Sequence, residues 1–549
     1  MKTKTPLRWI LGAFKAFYSQ IFIVSLLSAA VSLCGVFMVL QTRNILNSAA
    51  AGNVDYKSII ILASVLVFQL LSNMVVSFLK SKTIAKMDVH LKHRLFNALI
   101  KKDYGKIRAI HSGEIINRFT SDIDVVVQGF GSLIPTTVAI VTKLLSGMAV
   151  FIVLEPKIAI IVLAVGFGIP LVGRLLSKPY KTLHKETQRT NGIVRSFLQE
   201  SVQNMVVVKT FVADGPVKDH LDNLMQDNLS IKIKRALLSA LMHTSLHGSF
   251  TIAYYGVIIW GAFGIMAGSL PYGTFIAFLQ LISQLRAPLQ SVSGILPQYY
   301  STLASAERLM EIENIEDEQI GDDLPVDYAK LTSIEGRGLC FSYEDQRVLE
   351  NADFSIKKGS ICAVMGESGT GKSTLFRLLL GLYRTESGSI SLESSEGSIP
   401  LTAANRSLFS YVPQGAMMLS GTIRDNIALL SGELSDEKIE YAARQAVIYD
   451  FIKTLPQGFD TPLGEQGLGL SEGQLQRIAI ARALASDAPI LLLDECTSAL
   501  DNETECQLLE NLKKETDKTV ILITHRPAAL DICDRVLYIK DGKIEDKNI

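Results

Sequence analysis

Apolar residues crowd the first half of this chain in long runs and break into short, strand-like runs in the second. Residues 16–42 contain no charged side chain, and neither do residues 58–79. A helix needs roughly 20 residues to cross a hydrocarbon core, so each run predicts one span. A third run, 125–154, is interrupted only by Lys143, and Glu155-Pro156-Lys157 then predicts a turn before 158–173 returns. Residues 236–285 are again uncharged and too long for one span. The break Gly268-Ser269-Leu270-Pro271-Tyr272-Gly273 divides them into a hairpin of two, which makes six spans. The connections after spans two and four keep helical spacing, as in Met87, Leu91, Leu95 and Leu99, and predict helices that run on past the bilayer. Within them His111–Phe119 and Asn204–Asp214 read as turns. From Leu331 onward β-branched runs alternate with helical ones, the pattern of an α/β domain.

The expected organisation is therefore a membrane domain over 1–310, an acidic linker over 311–330 and an α/β domain over 331–549. Lysine and arginine orient the spans. The long connections are rich in them, from Lys80 to Arg118 and from Arg174 to Arg235, while the opposite face offers only Arg43, Lys57 and Lys157. Both connections and both termini are thus expected on the cytoplasmic side, in a multi-pass integral membrane protein. The basic start (Lys2, Lys4, Arg8, Lys15) precedes an apolar run too long for a signal peptide, so that run reads as the first span. Residues 2–17 have the character of a short amphipathic helix on the inner surface.

Composition narrows the function. Lys plus Arg and Asp plus Glu balance at 54 each, which argues against nucleic acid as a partner. The six cysteines form no CxxC pair, so a structural metal or a disulfide framework is not expected.

Three short patterns carry chemistry. Gly366-Glu367-Ser368-Gly369-Thr370-Gly371-Lys372-Ser373 fits the P-loop pattern G-x-x-x-x-G-K-[ST] between a strand-like run and a helix beginning near Thr374. Its glycines let backbone N–H groups close around phosphates, Lys372 adds a charge at the β/γ-phosphates, and the Ser373 hydroxyl can ligate Mg²⁺. The apolar run 489–493 ends in Asp494 and Glu495, two carboxylates placed to hold Mg²⁺ and to activate water. His525 follows a second apolar run and is a candidate sensor of the γ-phosphate.

A third pattern, Leu470-Ser471-Glu472-Gly473-Gln474-Leu475-Gln476-Arg477, resembles the signature of ABC transporters. With the six spans, the chain is similar over nearly its whole length to half-transporter ABC exporters. That resemblance implies ATP and Mg²⁺ as ligands, an ATPase coupled to export or to flipping between leaflets, and a dimer. In the dimer, each ATP lies between the Lys372 loop of one chain and Ser471, Gly473 and Gln474 of the other. It implies that Tyr343 stacks on adenine, that Gln414 links the metal site to the membrane domain, and that Asp501 lies in the D-loop. Gly464–Gly467 would meet coupling helices near Ser112–Ile115, with Arg118 and Asp122, and near Val208–Phe211. Glu307-Arg308 fits the family as well.

Glu472 departs from the family, which has glycine there. A homodimer is expected, with a heterodimer carrying one weakened site as the alternative. An ATP-gated channel would share the architecture without needing Glu495 and His525. Lys143, Gln69, Asn73, His243, His247, Gln280, Gln284 and Arg286 are polar positions within the spans where a small-molecule, lipid or peptide substrate would bind. A bacterial inner membrane is the expected setting.

Overall fold

The computed structural model describes residues 5–547 except 111, 321–325, 344–345, 416, 430–433, 465–468 and 516. Within its helices and strands, the side chains of 157–178, 243, 246, 247, 249, 250, 289, 290, 293 and 547 lie outside the description. His243 and His247, the side chains of the fourth apolar run and most of Gly464–Gly467 therefore lie outside the described residues. Two compact units emerge: Met1–Ala98 with Gly113–Asn314, and Leu99–Ser112 with Ile315–Ile549.

The first unit is helical. α1 (Pro6–Ala13) precedes α2 (Tyr18–Ala50) and α3 (Tyr56–Ile100). The five-residue α4 (Tyr104–Arg108), which belongs to the second unit, and α5 (Ser112–Asn117) then lead into α6 (Ile123–Leu154). α7 (Pro156–Gln203), α8 (Met205–Thr210), α9 (Asp214–Met266) and α10 (Tyr272–Asn314) complete it. Six of these helices are long, and both predicted breaks fall between them. Extended Glu155 ends α6 and Pro156 opens α7, where its missing N–H costs nothing. Gly268, at φ +70°, turns the chain between α9 and α10. Among the described residues, three helical stretches are long and apolar enough to cross a membrane: Lys15–Ala50, Tyr56–Ile100 and Ser112–Leu154. In the most apolar window of α3 no residue is buried, so lipid or another chain must cover it.

α1 docks on its own chain. Trp9, Ile10, Ala13 and Phe14 bury against Met87, Leu91 and Leu95 of α3 and against Phe130 and Leu309. The reading of 111–119 as a turn is corrected: Ser112–Asn117 is α-helical and runs through a π-turn at Arg118–Asp122 into α6. Ion pairs hold that turn. Arg118 bonds Glu114 at 2.6 Å and Glu311 at 2.7 Å, and Asp122 pairs with Arg308. The chain reverses instead around α4, whose N-cap Asp103 accepts the Lys106 N–H. The acidic stretch, likewise, begins inside a helix, because α10 continues to Asn314.

In the second unit a four-stranded antiparallel sheet has the order β2-β1-β4-β5. Its strands are β1 (Leu331–Tyr343), β2 (Gln346–Lys357), β4 (Ser387–Ser394) and β5 (Gly397–Pro400). A six-stranded sheet, ordered β12-β11-β3-β10-β9-β6, forms the floor. It contains β3 (Ile361–Gly366), β6 (Phe409–Val412), β9 (Ile490–Asp494), β10 (Thr519–Ile523), β11 (Arg535–Lys540) and β12 (Lys543–Lys547). β3, β6, β9, β10 and β11 run parallel. Every residue of β9 and β10 is buried, as expected for parallel strands covered on both faces. The helices are α11 (Lys372–Leu379), α12 (Ile423–Ile427), α13 (Asp436–Gln445), α14 (Tyr449–Thr454), α15 (Glu472–Ala485), α16 (Asn502–Lys514) and α17 (Pro527–Leu530). β7 (Gly421–Thr422) and β8 (Pro462–Leu463) form a small separate pair.

Three acidic residues that follow α10 are paired with cations within this unit. Glu316 pairs with Lys106 at 2.5 Å, Asp317 with Lys102 at 2.7 Å and Glu318 with Arg406 at 2.5 Å. Tyr104 of α4 meets Tyr383 edge to face at 5.8 Å, and a Cβ on Gly105 would come within 3.0 Å of that ring.

Candidate nucleotide site

The ends of the parallel strands carry the site. β3 stops at Gly366 (φ +152°), where a Cβ would strike the Ile539 carbonyl at 2.5 Å. Gly369 (φ +84°) and Gly371 (φ +102°) keep the loop in conformations that side chains resist. Gly371 is also the N-cap of α11 and has no side chain to bond that helix end, so its first N–H groups face the loop. Lys372 is buried, with Nζ 2.8 Å from the carbonyls of both Gly366 and Glu367. An ammonium held by two neutral carbonyls beside open N–H donors makes a cradle for phosphate oxygens, so the residues fit a nucleotide. Ser368 is exposed on the loop, and Thr374 is buried with its hydroxyl 3.4 Å from the Tyr343 hydroxyl.

Asp494 and Glu495 are adjacent yet differ in every respect. Asp494 ends β9 and is 2% exposed. Burial raises its pKa, while the neighbouring Ser373 and Tyr411 hydroxyls act in the opposite direction. Ser373 thus lies near the buried Asp494 carboxylate, which the Tyr411 hydroxyl reaches at 3.3 Å. Among the described residues no group of three His, Cys, Asp or Glu is arranged to hold a metal ion by itself. A hydroxyl and a lone carboxylate beside a phosphate cradle suit Mg²⁺, which takes few protein ligands and completes its shell with water and phosphate.

Glu495 lies at φ +49°, in the left-handed region, which costs a non-glycine residue on the order of 1 kcal/mol. Its N–H is held by the Ile523 carbonyl at 3.0 Å, and its own carbonyl accepts from Ser498 N–H at 3.2 Å. The strain turns its carboxylate out of the sheet. There it accepts from Gln414 Nε2 at 2.8 Å and lies 4.0 Å from His525 Nε2. The structure therefore gathers Gln414, Glu495 and His525 at one point, although the chain separates them widely.

Tyr343 sits at the end of β1. Its hydroxyl accepts from Arg377 at 3.1 Å, and its ring meets Phe341 and Tyr383 edge to face. Ser471 is the N-cap of α15 in a reciprocal box with Gln474: the Gln474 N–H reaches Ser471 Oγ at 3.3 Å, and the Ser471 N–H reaches Gln474 Oε1 at 2.8 Å. The Gln474 side chain, expected at a nucleotide, is thus occupied within its own helix end. Gly473 is pressed against the next loop, since a Cβ there would lie 2.7 Å from the Ala499 carbonyl. Asp501 caps α16 through the Thr504 N–H at 3.0 Å.

Comparison with known proteins agrees with this geometry. A family profile described as ABC transporter transmembrane region matches residues 21–289, and one described as ABC transporter matches residues 349–498. A probable ABC transporter ATP-binding/permease protein of Haemophilus influenzae is 30% identical over 83% of each chain. This chain belongs to the ABC transporter family. An ATP-dependent lipid A-core flippase of Photobacterium profundum is 30% identical, over 87% of this chain and 82% of its own. The fold is shared with a bacterial Atm1-family ABC exporter solved with ATP bound, at a TM-score of 0.78 and 23% identity, over 97% of this chain and 95% of that one.

This ABC transporter chain fuses one membrane domain to one nucleotide-binding ATPase domain, which makes it an exporter half that couples ATP hydrolysis to movement of a substrate across a membrane. Its ATPase domain contains residues that the motifs did not reveal. Tyr411 donates to Asp494 at 3.3 Å, and Arg377 holds the Tyr343 hydroxyl. Gln476 and Arg526 hold the segment after Glu495. Gln476 stands inside the signature-like pattern, which gave it no role of its own. Arg526 carried none.

Proposed function

We propose that two copies of this chain form the working exporter, in a bacterial inner membrane with both termini in the cytoplasm, 1–310 acting as the membrane domain and 331–549 as the cassette. ATP lies between the two cassettes. Gly366, Ser368, Gly369, Gly371 and Thr374 wrap the phosphates, and Lys372 exchanges its carbonyl partners for β/γ-phosphate oxygens. Tyr343 stacks on adenine, while Ser471, Gly473, Gln474 and Asp501 come from the opposite chain. Ser373, Asp494 and Gln414 hold Mg²⁺, which when bound draws negative charge from the phosphate oxygens. Glu495 accepts the proton of the attacking water, and His525 holds the γ-phosphate. Because ATP touches both chains only when the cassettes meet, it favours the closed state, which is the differential affinity a switch requires.

Glu495 carries the hydrolytic reading. A strained carboxylate bonded to Gln414 and facing His525 suits a pump that turns over, whereas a channel gated by binding has no need of it. α8 supports the second copy: Val206, Phe211 and Val212 beside it are 79%, 77% and 78% exposed, an apolar end that a cassette would cover. The flippases among the relatives support an amphiphilic lipid as the first substrate to offer. Of the polar positions in the spans, Gln284 is used by packing, since its Nε2 bonds the Gly35 carbonyl at 3.1 Å.

ATP turnover by the purified chain alone in lipid vesicles tests the proposal, beside Glu495→Gln. Turnover should fall roughly 100-fold or more in the variant with nucleotide binding kept. A wild-type chain that binds ATP but does not turn it over would sink the homodimer and favour a partner chain, with Glu472 as the reason.

A further inference from the structure

No acidic residue precedes Asp55 in the chain, yet α1 carries Arg8, and Lys15 stands in the single turn that follows it. Both are exposed and stand three and four residues from Leu11, the spacing of one helix face. Neither side chain makes an ion pair or a hydrogen bond among the described residues. The opposite face of α1 is fixed. Trp9, Ile10 and Phe14 are buried, and Trp9 Nε1 donates to Glu313 Oε2 at 2.8 Å, an oxygen that Arg94 also holds at 3.0 Å.

Beside α1 an apolar groove of about 390 Å³ lies between α2 and α6. Ile21, Ser25 and Ala29 line it from α2, and Phe130, Ile134 and Val138 from α6, each set at intervals of four residues. Eight residues of helix make it roughly 12 Å long. Leu11 and Tyr18 close it at the α1 end, where Phe14 stacks on Phe130 at 5.2 Å. Its two hydroxyls are already engaged. Tyr18 donates to the Leu11 carbonyl at 2.9 Å, and Ser25 donates to the Ile21 carbonyl at 2.7 Å, so the groove offers water little. Phe22 and Leu26 on its rim are 68% and 59% exposed, and the groove opens outward between them and α6.

We propose that this groove holds an acyl chain of an anionic phospholipid, with the lipid phosphate on Arg8 and Lys15. The two parts stand at matching depths. The groove lies within the charge-free stretches of both helices, at hydrocarbon depth, and the two cations lie just before the first of them, at headgroup depth. An acidic headgroup answers those cations, at roughly fivefold in affinity for each, whereas a zwitterionic one brings a cation of its own. An apolar neighbour without negative charge would fill the groove and leave Arg8 and Lys15 unanswered. Because α1 is anchored through its buried face, the groove is formed before the lipid arrives. Gln69, Lys143 and Gln280, singled out above for substrate, do not line it, so the lipid is a resident ligand rather than cargo. That the site faces the inner leaflet rests on the orientation proposed above; the pairing of groove and cations does not.

The test offers equal amounts of phosphatidylglycerol and phosphatidylcholine to the purified full-length chain in detergent and reads the lipid retained by native mass spectrometry. The wild type should retain phosphatidylglycerol at least about fivefold over phosphatidylcholine, and Arg8→Gln/Lys15→Gln should bring that ratio to within about twofold of one. Ala29→Phe fills the groove and should lower retention of both lipids. It faces the groove and not the cassette, so affinity for a fluorescent ATP analogue should stay within about twofold, which shows that the chain is folded. Lys82→Gln/Lys86→Gln, beside a smaller groove between α2 and α3, should keep the preference. A preference that survives Arg8→Gln/Lys15→Gln, or is lost only in Lys82→Gln/Lys86→Gln, overturns the proposal. So does displacement of phosphatidylglycerol by inorganic phosphate alone, which would make the tail irrelevant. Loss of a dimer mass in Ala29→Phe, with lipid retention unchanged, would instead assign the groove to a second copy of the chain. Detergent has no sides, so an error in the proposed orientation would leave every one of these outcomes unchanged.

Discussion

Two helices of the cassette begin where phosphate is expected, and they begin in opposite ways. α11 opens on Gly371, with no side chain on its N–H groups and a buried lysine as its first residue. α15 opens on Ser471, whose side chain and that of Gln474 satisfy each other's N–H groups, and its first residue is the exposed Glu472. A helix start carries roughly half a positive charge. α11 leaves that charge bare and adds a cation, whereas α15 covers its donors and adds an anion. The first is a complete anion cradle within one chain. The second is a capped, negatively biased end, which in the proposed two-chain site would meet a phosphate held by the other chain. In the proposed two-chain site, affinity therefore belongs to α11, and α15 sets how readily two cassettes close.

The largest effect expected from that contrast is at Lys372. Lys372→Ala removes the cation of the cradle and strands two carbonyls, so turnover should fall roughly 100-fold or more and affinity for a fluorescent ATP analogue at least ~10-fold. Titration of the analogue against the purified chain measures the second. Affinity unchanged in this variant would break the contrast, because the cradle would not be the binding element.

Glu472 comes next. If its carboxylate opposes closure, Glu472→Gly should raise the rate at low ATP by about threefold to tenfold, a Coulomb effect of about 1 kcal/mol at partly screened range. Glu472→Gln should follow it, since it removes the charge and keeps the shape. Both gains should shrink at high salt, where exposed charges are screened. Rates unaffected in both variants would mean that the side chain points away from the phosphate, and α15 would then differ from α11 in capping alone.

The same contrast explains what could be read from the chain. The phosphate loop was legible because its demands are local: Gly366, Gly369 and Gly371 stand where φ is positive, and Lys372 follows at fixed spacing. The long helices were legible because lipid-length apolar runs have few other uses. Gln474 has a second, local use, because serine followed three residues later by glutamine is also a capping box, and in the single chain its side chain closes that box. Glu495's left-handed backbone, the Arg526–Glu505 pair and the ion pairs of the acidic stretch depend on residues far apart in sequence, so no spacing announces them. α4 was missed for a related reason. Five residues are too few for a periodic pattern, and its place is fixed by Asp103 and Tyr383 rather than by its own composition.

The smallest effect sharpens the comparison most finely. If α15 is a capped end, Ser471→Ala removes a side-chain acceptor worth about 1 kcal/mol, roughly a fivefold change in local opening. Hydrogen exchange should accelerate by that factor at the amides of residues 473–475, while the amides of 373–375 in α11, which never had a cap, stay as they were. Ser471→Thr, which keeps the acceptor, should restore protection. Turnover would fall by a similar small factor through loosened geometry, with affinity for the ATP analogue unchanged because the cradle is intact. A loss of affinity in Ser471→Ala without faster exchange would assign α15 to binding rather than to reading, and the division of labour between the two helix ends would fail.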